Sequence, residues 1–296
     1  MNKKVLFKGS GVAIVTPFNE KGIDFPKLSE LIEFHIENKT DAIIICGTTG
    51  EASTMPDSEH MSAIEFSVKT ASNRIPVIAG TGSNDTYHCI ELSKKAEKLG
   101  ADGILVVTPY YNKASKKGLL KHYKMVAEAV EIPVILYNVP SRTGINIPID
   151  VLSELAKIEN IVAIKEASGN ISYTAEVAAN VPELYIYSGN DDMIVPVMSL
   201  GGIGVISVVA NILPKETHDI CEYYLGGKIN ESRDLQLKLL NLINKLFIEV
   251  NPIPIKTAMN ILGMNVGHLR MPLCEMEESN LKKLKQELQK IGVLGE

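Results

Sequence analysis

The constraint that bears hardest on this chain is a recurrence. Short runs rich in valine and isoleucine return eight times, and stretches with helical spacing lie between them. The runs are VAIVTPF from Val12, DAIIICGTTGE from Asp41, IPVIAGTGS from Ile75, DGILVVTPYY from Asp102, IPVILYNVP from Ile132, IVAIKEAS from Ile161, LYIYSGND from Leu184 and GVISVVANI from Gly204. Apolar runs without polar alternation suit parallel strands covered on both faces, because a strand with one wet face would alternate. Between them, Leu28, Leu31, Ile32 and Ile36, or Met61, Ile64, Val68 and Ala71, recur at spacings of three and four, and Asp24, Asp57 and Asp85 stand where helix caps are expected. A βα unit repeated eight times predicts an α/β fold of the (β/α)8 TIM-barrel type. The rival, an open doubly wound sheet, needs GxGxxG after its first strand, and neither GTGSND nor GGIG has that spacing.

From about Pro214 the pattern is helical only. Leu235, Leu239, Leu242, Leu246 and Val250 form one stripe, and Leu281, Leu284, Leu288 and Ile291 another; NPIPIK at 251–256 is expected to break the first helix. The expected organisation is a catalytic barrel over residues 1–224 and a C-terminal helical extension over 225–296. The extension cannot bury both faces alone, so it should pack on the barrel or on a neighbouring subunit.

Composition narrows the partners. A net charge of -5 gives no basic field, so nucleic acid is not an expected partner. The chain has no run approaching the roughly 18 apolar residues of a membrane span and no secretory leader in its first residues, so a cytoplasmic protein without a membrane partner is expected. The four cysteines show no CxxC spacing, and Cys89 falls at helical spacing with Leu92, Ala96 and Leu99, as a core residue would. The six histidines form no HExxH or HxH pattern, and no metal is expected.

In a barrel of this kind the chemistry sits at the C-terminal ends of the strands. Lys165 stands out there, because IVAIKEAS is apolar up to the lysine. Period-two geometry puts Ile161, Ala163, Lys165 and Ala167 on one face and Val162, Ile164 and Glu166 on the other. Burial disfavours the ammonium form of an amine and favours the free amine that attacks a carbonyl to form a Schiff base. The competing reading is a structural lysine paired with a carboxylate such as Glu166. Tyr137, on the preceding run, could point into the same lumen and move a proton, or be a core tyrosine. GTTGE at 47–51 offers hydroxyls and backbone N–H groups suited to a carboxylate. Asp191 and Asp192 are better read as helix-capping groups than as an acid/base pair.

Taken together, GTTGE at 47, TPYY at 108, YNVPSRTG at 137, IKEASGN at 164, SGND at 188, GVISV at 204, NPIPIK at 251 and LRMP at 269 resemble the dihydrodipicolinate synthases, a branch of the pyruvate-dependent class I aldolase and N-acetylneuraminate lyase family. The resemblance runs in order along nearly the whole chain. It implies that Lys165, on the sixth strand, forms a Schiff base with pyruvate, whose enamine then attacks L-aspartate 4-semialdehyde to give 4-hydroxy-tetrahydrodipicolinate, for lysine and diaminopimelate synthesis. No cofactor beyond that covalent linkage is implied.

By the same resemblance Tyr137 is the proton donor and acceptor, Thr48 a relay hydroxyl, and Tyr111 a relay tyrosine that reaches the neighbouring subunit's site. Thr49, Ile206 and the backbone of Gly189 hold pyruvate, and Arg142 binds the semialdehyde carboxylate. A homo-oligomer is implied, commonly a tetramer built of tight dimers. Other lyases of the family share the lysine and tyrosine but usually lack the SRTG arginine and the Thr-Thr pair. A non-catalytic relative would be expected to have lost the lysine or the tyrosine.

The chain departs from lysine-sensitive relatives at two places. It keeps His60, Asn84 and Tyr110 but carries Asp57 and His88 where those relatives place a histidine or similar group and a glutamate. Weak or absent inhibition by L-lysine is the expectation, since a lost charge-assisted bond is worth about 1.5–3 kcal/mol.

Overall fold

The computed structural model describes residues 3–295; the outer limits of the two expected ranges, residues 1 and 296, lie outside the described residues. Parallel strands β1 (Gly9–Ala13), β2 (Ala42–Ile45), β3 (Val77–Gly80), β4 (Gly103–Val107), β5 (Val134–Asn138), β6 (Ile161–Glu166), β7 (Tyr185–Ser188) and β8 (Gly204–Ser207) follow chain order round a closed barrel, β8 returning to β1. Helices α1 (Phe25–Glu37), α2 (Asp57–Ala71), α3 (Thr86–Lys98), α4 (Lys116–Glu128), α5 (Ile149–Leu155), α6 (Ile171–Asn180), α7 (Ile194–Ser199) and α8 (Pro214–Leu225) alternate with them. This is the expected TIM-barrel architecture.

The apolar residues divide into two bodies. Ala13, Ile44, Ile78, Leu105, Ile135, Tyr137, Ala163, Tyr187 and Ile206 fill the lumen, while Val12, Ile43, Ile45, Val106, Leu136 and Ile164 pack outward under the helices. Alternate residues of one strand thus serve two cores, which is why the runs show no polar alternation. Each fully buried Ile or Leu contributes about 1.5–3 kcal/mol of transfer free energy.

Local signals explain most boundaries, with informative exceptions. Asp24 caps α1 by accepting the Lys27 N–H, and Asp85 caps α3 by accepting from Tyr87 and His88. Asp57 does not cap α2: Pro56 holds the cap position, Asp57 is already helical, and its carboxylate faces His88 instead. The first strand begins at Gly9 and ends at Ala13, so most of VAIVTPF is the loop beyond it. Gly11 hides the strand from an apolar pattern, yet a Cβ there would come within 2.7 Å of the Phe7 ring and 2.6 Å of Ile44. Phe18–Asn19 and Gly22–Ile23 add a small antiparallel ribbon that the periodicity does not announce.

A bulge corrects the expected facing of β6. The β5–β6 register jumps from Val134 opposite Ile161 to Ile135 opposite Ala163. Ile161 therefore packs in the outer layer, and Val162 joins Ala163 in the lumen. An inserted residue flips the alternation on one side of the bulge only, so Lys165 keeps its neighbour Tyr137.

Beyond α8 lie α9 (Ile229–Lys245), α10 (Ile253–Ile261) and α11 (Glu278–Lys290). Leu239, Leu242, Leu246, Met259, Leu284 and Leu288 are buried in the same cluster as the barrel helices. Helix α9 ends at Lys245, before NPIPIK, and Val250 lies beyond that end, exposed rather than on the apolar stripe. Among the described residues no helix is long and apolar enough to cross a membrane.

Candidate active site

Lys165 lies near the C-terminal end of β6 and Tyr137 near that of β5, and the two are register partners. Lys165 is 6% exposed, and its Nζ stands 4.3 Å from the centroid of the Tyr137 ring. Among the described residues it forms neither an ion pair nor a hydrogen bond. Glu166, the carboxylate named as its possible partner, points to the other side and accepts from the Ser168 N–H at 2.7 Å, the Ser168 hydroxyl at 3.0 Å and Asn138 Nδ2 at 3.2 Å. Burial pushes the Glu166 pKa up against those bonds. The structural-lysine reading through Glu166 is therefore overturned, because the strand alternation sends the two side chains apart.

Around Lys165 the lumen is closed by small and apolar groups. Ala163 and Ala167 flank it in the chain, Tyr187 is its register partner on β7, and Ile206 of the same lumen cluster is fully buried. Gly189 follows β7, where its N–H donates to the Glu166 carbonyl at 2.6 Å; a Cβ at this position would meet Ala167 at 2.5 Å. Only glycine lets this turn approach β6 so closely.

Asp191, just beyond, is 1% exposed, and its Oδ2 accepts the N–H groups of Val208 and Val209 at 3.0 and 2.9 Å. It thus caps the short 209–211 turn after β8, rather than its own turn at 191–193. Burial pushes its pKa up, opposed by those bonds.

A cleft of about 400 Å³ opens beside this cluster, lined among others by Thr48, Tyr137, Arg142, Tyr110, Asp57 and His88. Thr48, Tyr137 and Arg142 are thus brought to one space. Tyr111 is not drawn into it: it stands 91% exposed on a loop where Tyr111 and Lys113 both have left-handed backbone, φ 69° and 44°. For non-glycine residues that conformation is sparsely populated. His88 Nε2 and Asp57 Oδ1 face each other at 3.0 Å on the cleft wall.

The GTTGE turn is fastened from outside the barrel. Thr49 is 2% exposed and its hydroxyl oxygen accepts from Asn251 Nδ2 at 3.0 Å; the backbone carbonyl of the same Asn251 accepts from Arg142 Nη2 at 3.1 Å. Glu51, with left-handed φ of 55°, accepts from Lys256 Nζ at 2.8 Å and from the Arg270 N–H at 2.9 Å. Burial pushes the Lys256 pKa down while Glu51 holds it up. Sequence reasoning missed these residues. Lys256 carried the same signal as Lys165, a lysine inside an apolar run (IPIKTAMNI); Asn251 opens NPIPIK, one of the motifs of the resemblance, but nothing in that motif points to its partner Thr49, 202 residues away.

Among the described residues, the one group of His, Cys, Asp and Glu side chains close enough to share a metal ion is His218, Asp219 and Glu222 on α8. There both ring nitrogens of His218 are already taken, by Asp41 and by Glu222, at 2.9 Å each.

Chemically, the mouth of the barrel offers an unpaired amine, a phenol against it, hydroxyl groups on a fastened turn and one guanidinium at the rim. That set suits nucleophilic attack on the carbonyl of a small anionic molecule. The chain matches the sequence model of the dihydrodipicolinate synthetase family over residues 6–291. It is 61% identical over 289 residues to a 4-hydroxy-tetrahydrodipicolinate synthase of Caldicellulosiruptor bescii, covering 97% of this chain and 98% of that one. Its backbone superposes on the crystal structure of dihydrodipicolinate synthase from Aquifex aeolicus with a TM-score of 0.95 at 46% identity, over 98% of this chain and 100% of the other. The chloride-inhibited enzyme from Acinetobacter baumannii, complexed with pyruvate, gives a TM-score of 0.94 at 44% identity over 97% and 99% of the two chains. Alike in sequence and in backbone over nearly its whole length, the chain belongs to the dihydrodipicolinate synthetase family.

Proposed function

We propose that the protein condenses pyruvate with L-aspartate 4-semialdehyde to give 4-hydroxy-tetrahydrodipicolinate, through a Schiff base on Lys165. The observation that carries this reading is the unpaired Lys165 amine against the Tyr137 ring, in a chain so similar to synthases of that name. The amine attacks C2 of pyruvate, and loss of water leaves an imine. Loss of a C3 proton then gives an enamine, whose C3 forms the new bond to the aldehyde carbon while the aldehyde oxygen takes up a proton. Release of the amine and ring closure through the substrate's own amino group complete the turnover. No cofactor enters this sequence.

In this reading Tyr137 carries protons to and from the carbinolamine, and Thr48 relays them. Thr49, Ile206 and the Gly189 backbone hold pyruvate. Arg142 receives the semialdehyde carboxylate, because a planar guanidinium can bind it with two parallel bonds. Tyr111 completes the relay in the site of a second copy, a role its outward, fully accessible position supports. The working unit is then a dimer, with a tetramer built from two such dimers, in the cytoplasm. Residues 1–224 form the catalytic barrel and 225–296 the extension that braces its loops.

The test is borohydride reduction in the presence of pyruvate, followed by peptide mass mapping and a condensation assay with the semialdehyde. Trapping at Lys165 together with condensation is expected. Trapping at another lysine overturns the mechanism, and trapping without condensation overturns the substrate assignment.

A further inference from the structure

Asn251 touches both halves of the site, and the direction of its bonds says what it does. It lies in the extension, at the approach to α10, and is 6% exposed. Its backbone carbonyl accepts from Arg142 Nη2, and its side-chain Nδ2 donates to Thr49 Oγ1. Its Oδ1 is buried without a hydrogen-bond partner. A buried acceptor left without a partner destabilises the fold, so stability alone does not account for this arrangement.

A threonine hydroxyl has one proton to donate and lone pairs to accept with. When Asn251 donates into a Thr49 lone pair, the Thr49 proton must point elsewhere, and it remains free for an anionic acceptor. We propose that Asn251 is a positioning residue: its amide sets the Thr49 hydroxyl as a donor toward the carboxylate of the bound 2-oxo acid, and its carbonyl orients the Arg142 guanidinium toward the second carboxylate. This deepens the function proposed above and rests on it. The extension thereby orients substrate-binding groups as well as covering the barrel helices.

The test compares Asn251→Ala, Asn251→Asp and Thr49→Val, alone and combined, by steady-state kinetics with pyruvate varied and by borohydride trapping at graded pyruvate. Removing the donor should raise the pyruvate KM about fivefold, the loss of one ordinary hydrogen bond. The introduced carboxylate should raise it by roughly a further tenfold, because it reverses the bond, draws the Thr49 proton to itself and repels the anion. Once Thr49 is valine, Asn251→Ala should no longer change the pyruvate KM, and Asn251→Asp should keep only the part due to repulsion of the anion.

KM is insensitive to the fraction of enzyme that folds, and the Asn251→Ala and Thr49→Val pair reads the same coupling if the carboxylate variant does not accumulate. An Asn251→Asp effect equal to or milder than that of Asn251→Ala overturns the proposal. So do additive effects of Asn251→Ala and Thr49→Val, or a loss confined to thermal stability. Failure of the unmodified enzyme to trap pyruvate at Lys165 instead overturns the function, an outcome separate from these.

Discussion

Lys256→Met should weaken the fold more than any exposed ion-pair deletion in this protein. The Lys256 and Glu51 side chains are each 1% exposed, and all three ammonium protons of Lys256 are used: on Glu51 at 2.8 Å, on the Thr16 carbonyl at 3.0 Å and on the His268 carbonyl at 2.6 Å. Methionine fills most of the volume and keeps the contact with the Phe18 ring, over which the ammonium now sits at 4.6 Å. What it removes is the charge opposite Glu51, which retains only the Arg270 N–H. Breaking a buried pair by removing one partner costs about 3–5 kcal/mol, whereas replacing both partners by apolar groups is often neutral. In a chain of this size that is a fall in Tm on the order of 10 °C. Thermal unfolding followed by circular dichroism, at matched protein concentration, measures it. The double variant Lys256→Met with Glu51→Leu should recover only the part due to the uncompensated charge, because it still leaves the Thr16 and His268 carbonyls and the Arg270 N–H without these partners. A Lys256→Met loss below about 1 kcal/mol, the range of an exposed pair, would refute the claim that this pair fastens the extension to the GTTGE turn.

Further outcomes follow from the site and from two histidines. Lys165→Arg should abolish pyruvate trapping while leaving Tm within a few degrees, read by mass mapping and melting of the same samples, because the lysine makes no bond that its loss would orphan. Arg142→Ala should leave trapping intact and raise the semialdehyde KM by at least about tenfold, the worth of a charge-assisted bond; unchanged kinetics would remove Arg142 from the second-substrate site. His218, bonded to Asp41 and Glu222, has its pKa raised above the ordinary 6.5, chiefly by the Asp41 bond. Its contribution is full below pH 6.5 and fades as pH rises through the higher folded value, a slope that His218→Gln should erase from Tm against pH. His35 runs the other way: burial pushes its pKa from 6.5 down to about 3, so stability is held above 6.5 and lost as pH falls between those values. The slope is about 1.4 kcal/mol per pH unit, and His35→Gln should flatten it. L-Lysine at submillimolar concentration should leave the condensation rate nearly unchanged, since Asp57 and His88 face each other at 3.0 Å; clear inhibition would sink this expectation.

Much of the architecture was legible because β/α alternation is a local property. Each strand needs both faces buried and each helix one, so eight apolar runs and their intervening stripes carry the barrel without any long-range information. Lys165 was legible for a related reason: a cation at the end of an apolar strand is conspicuous in one dimension. Exceptions arose where a neighbour decided the outcome. Ile161 changed layer because of a bulge against β5, Asp57 lost its capping role because Pro56 holds the cap position and His88 faces its carboxylate, and Asp191 caps a turn belonging to the next strand.

The sequence by itself determined that this chain closes eight βα units into a barrel, and that Lys165 and Tyr137 stand near the ends of adjacent strands. Only the tertiary structure decided what holds the site in shape. Thr49 with Asn251, Glu51 with Lys256 and Arg142 with the Asn251 carbonyl are bonds between residues more than a hundred positions apart. Periodicity records which face a side chain presents to its own element. It is blind to which distant polar group lies across the gap, and in a buried site that pairing decides whether an amide, a carboxylate or an amine can be tolerated at all.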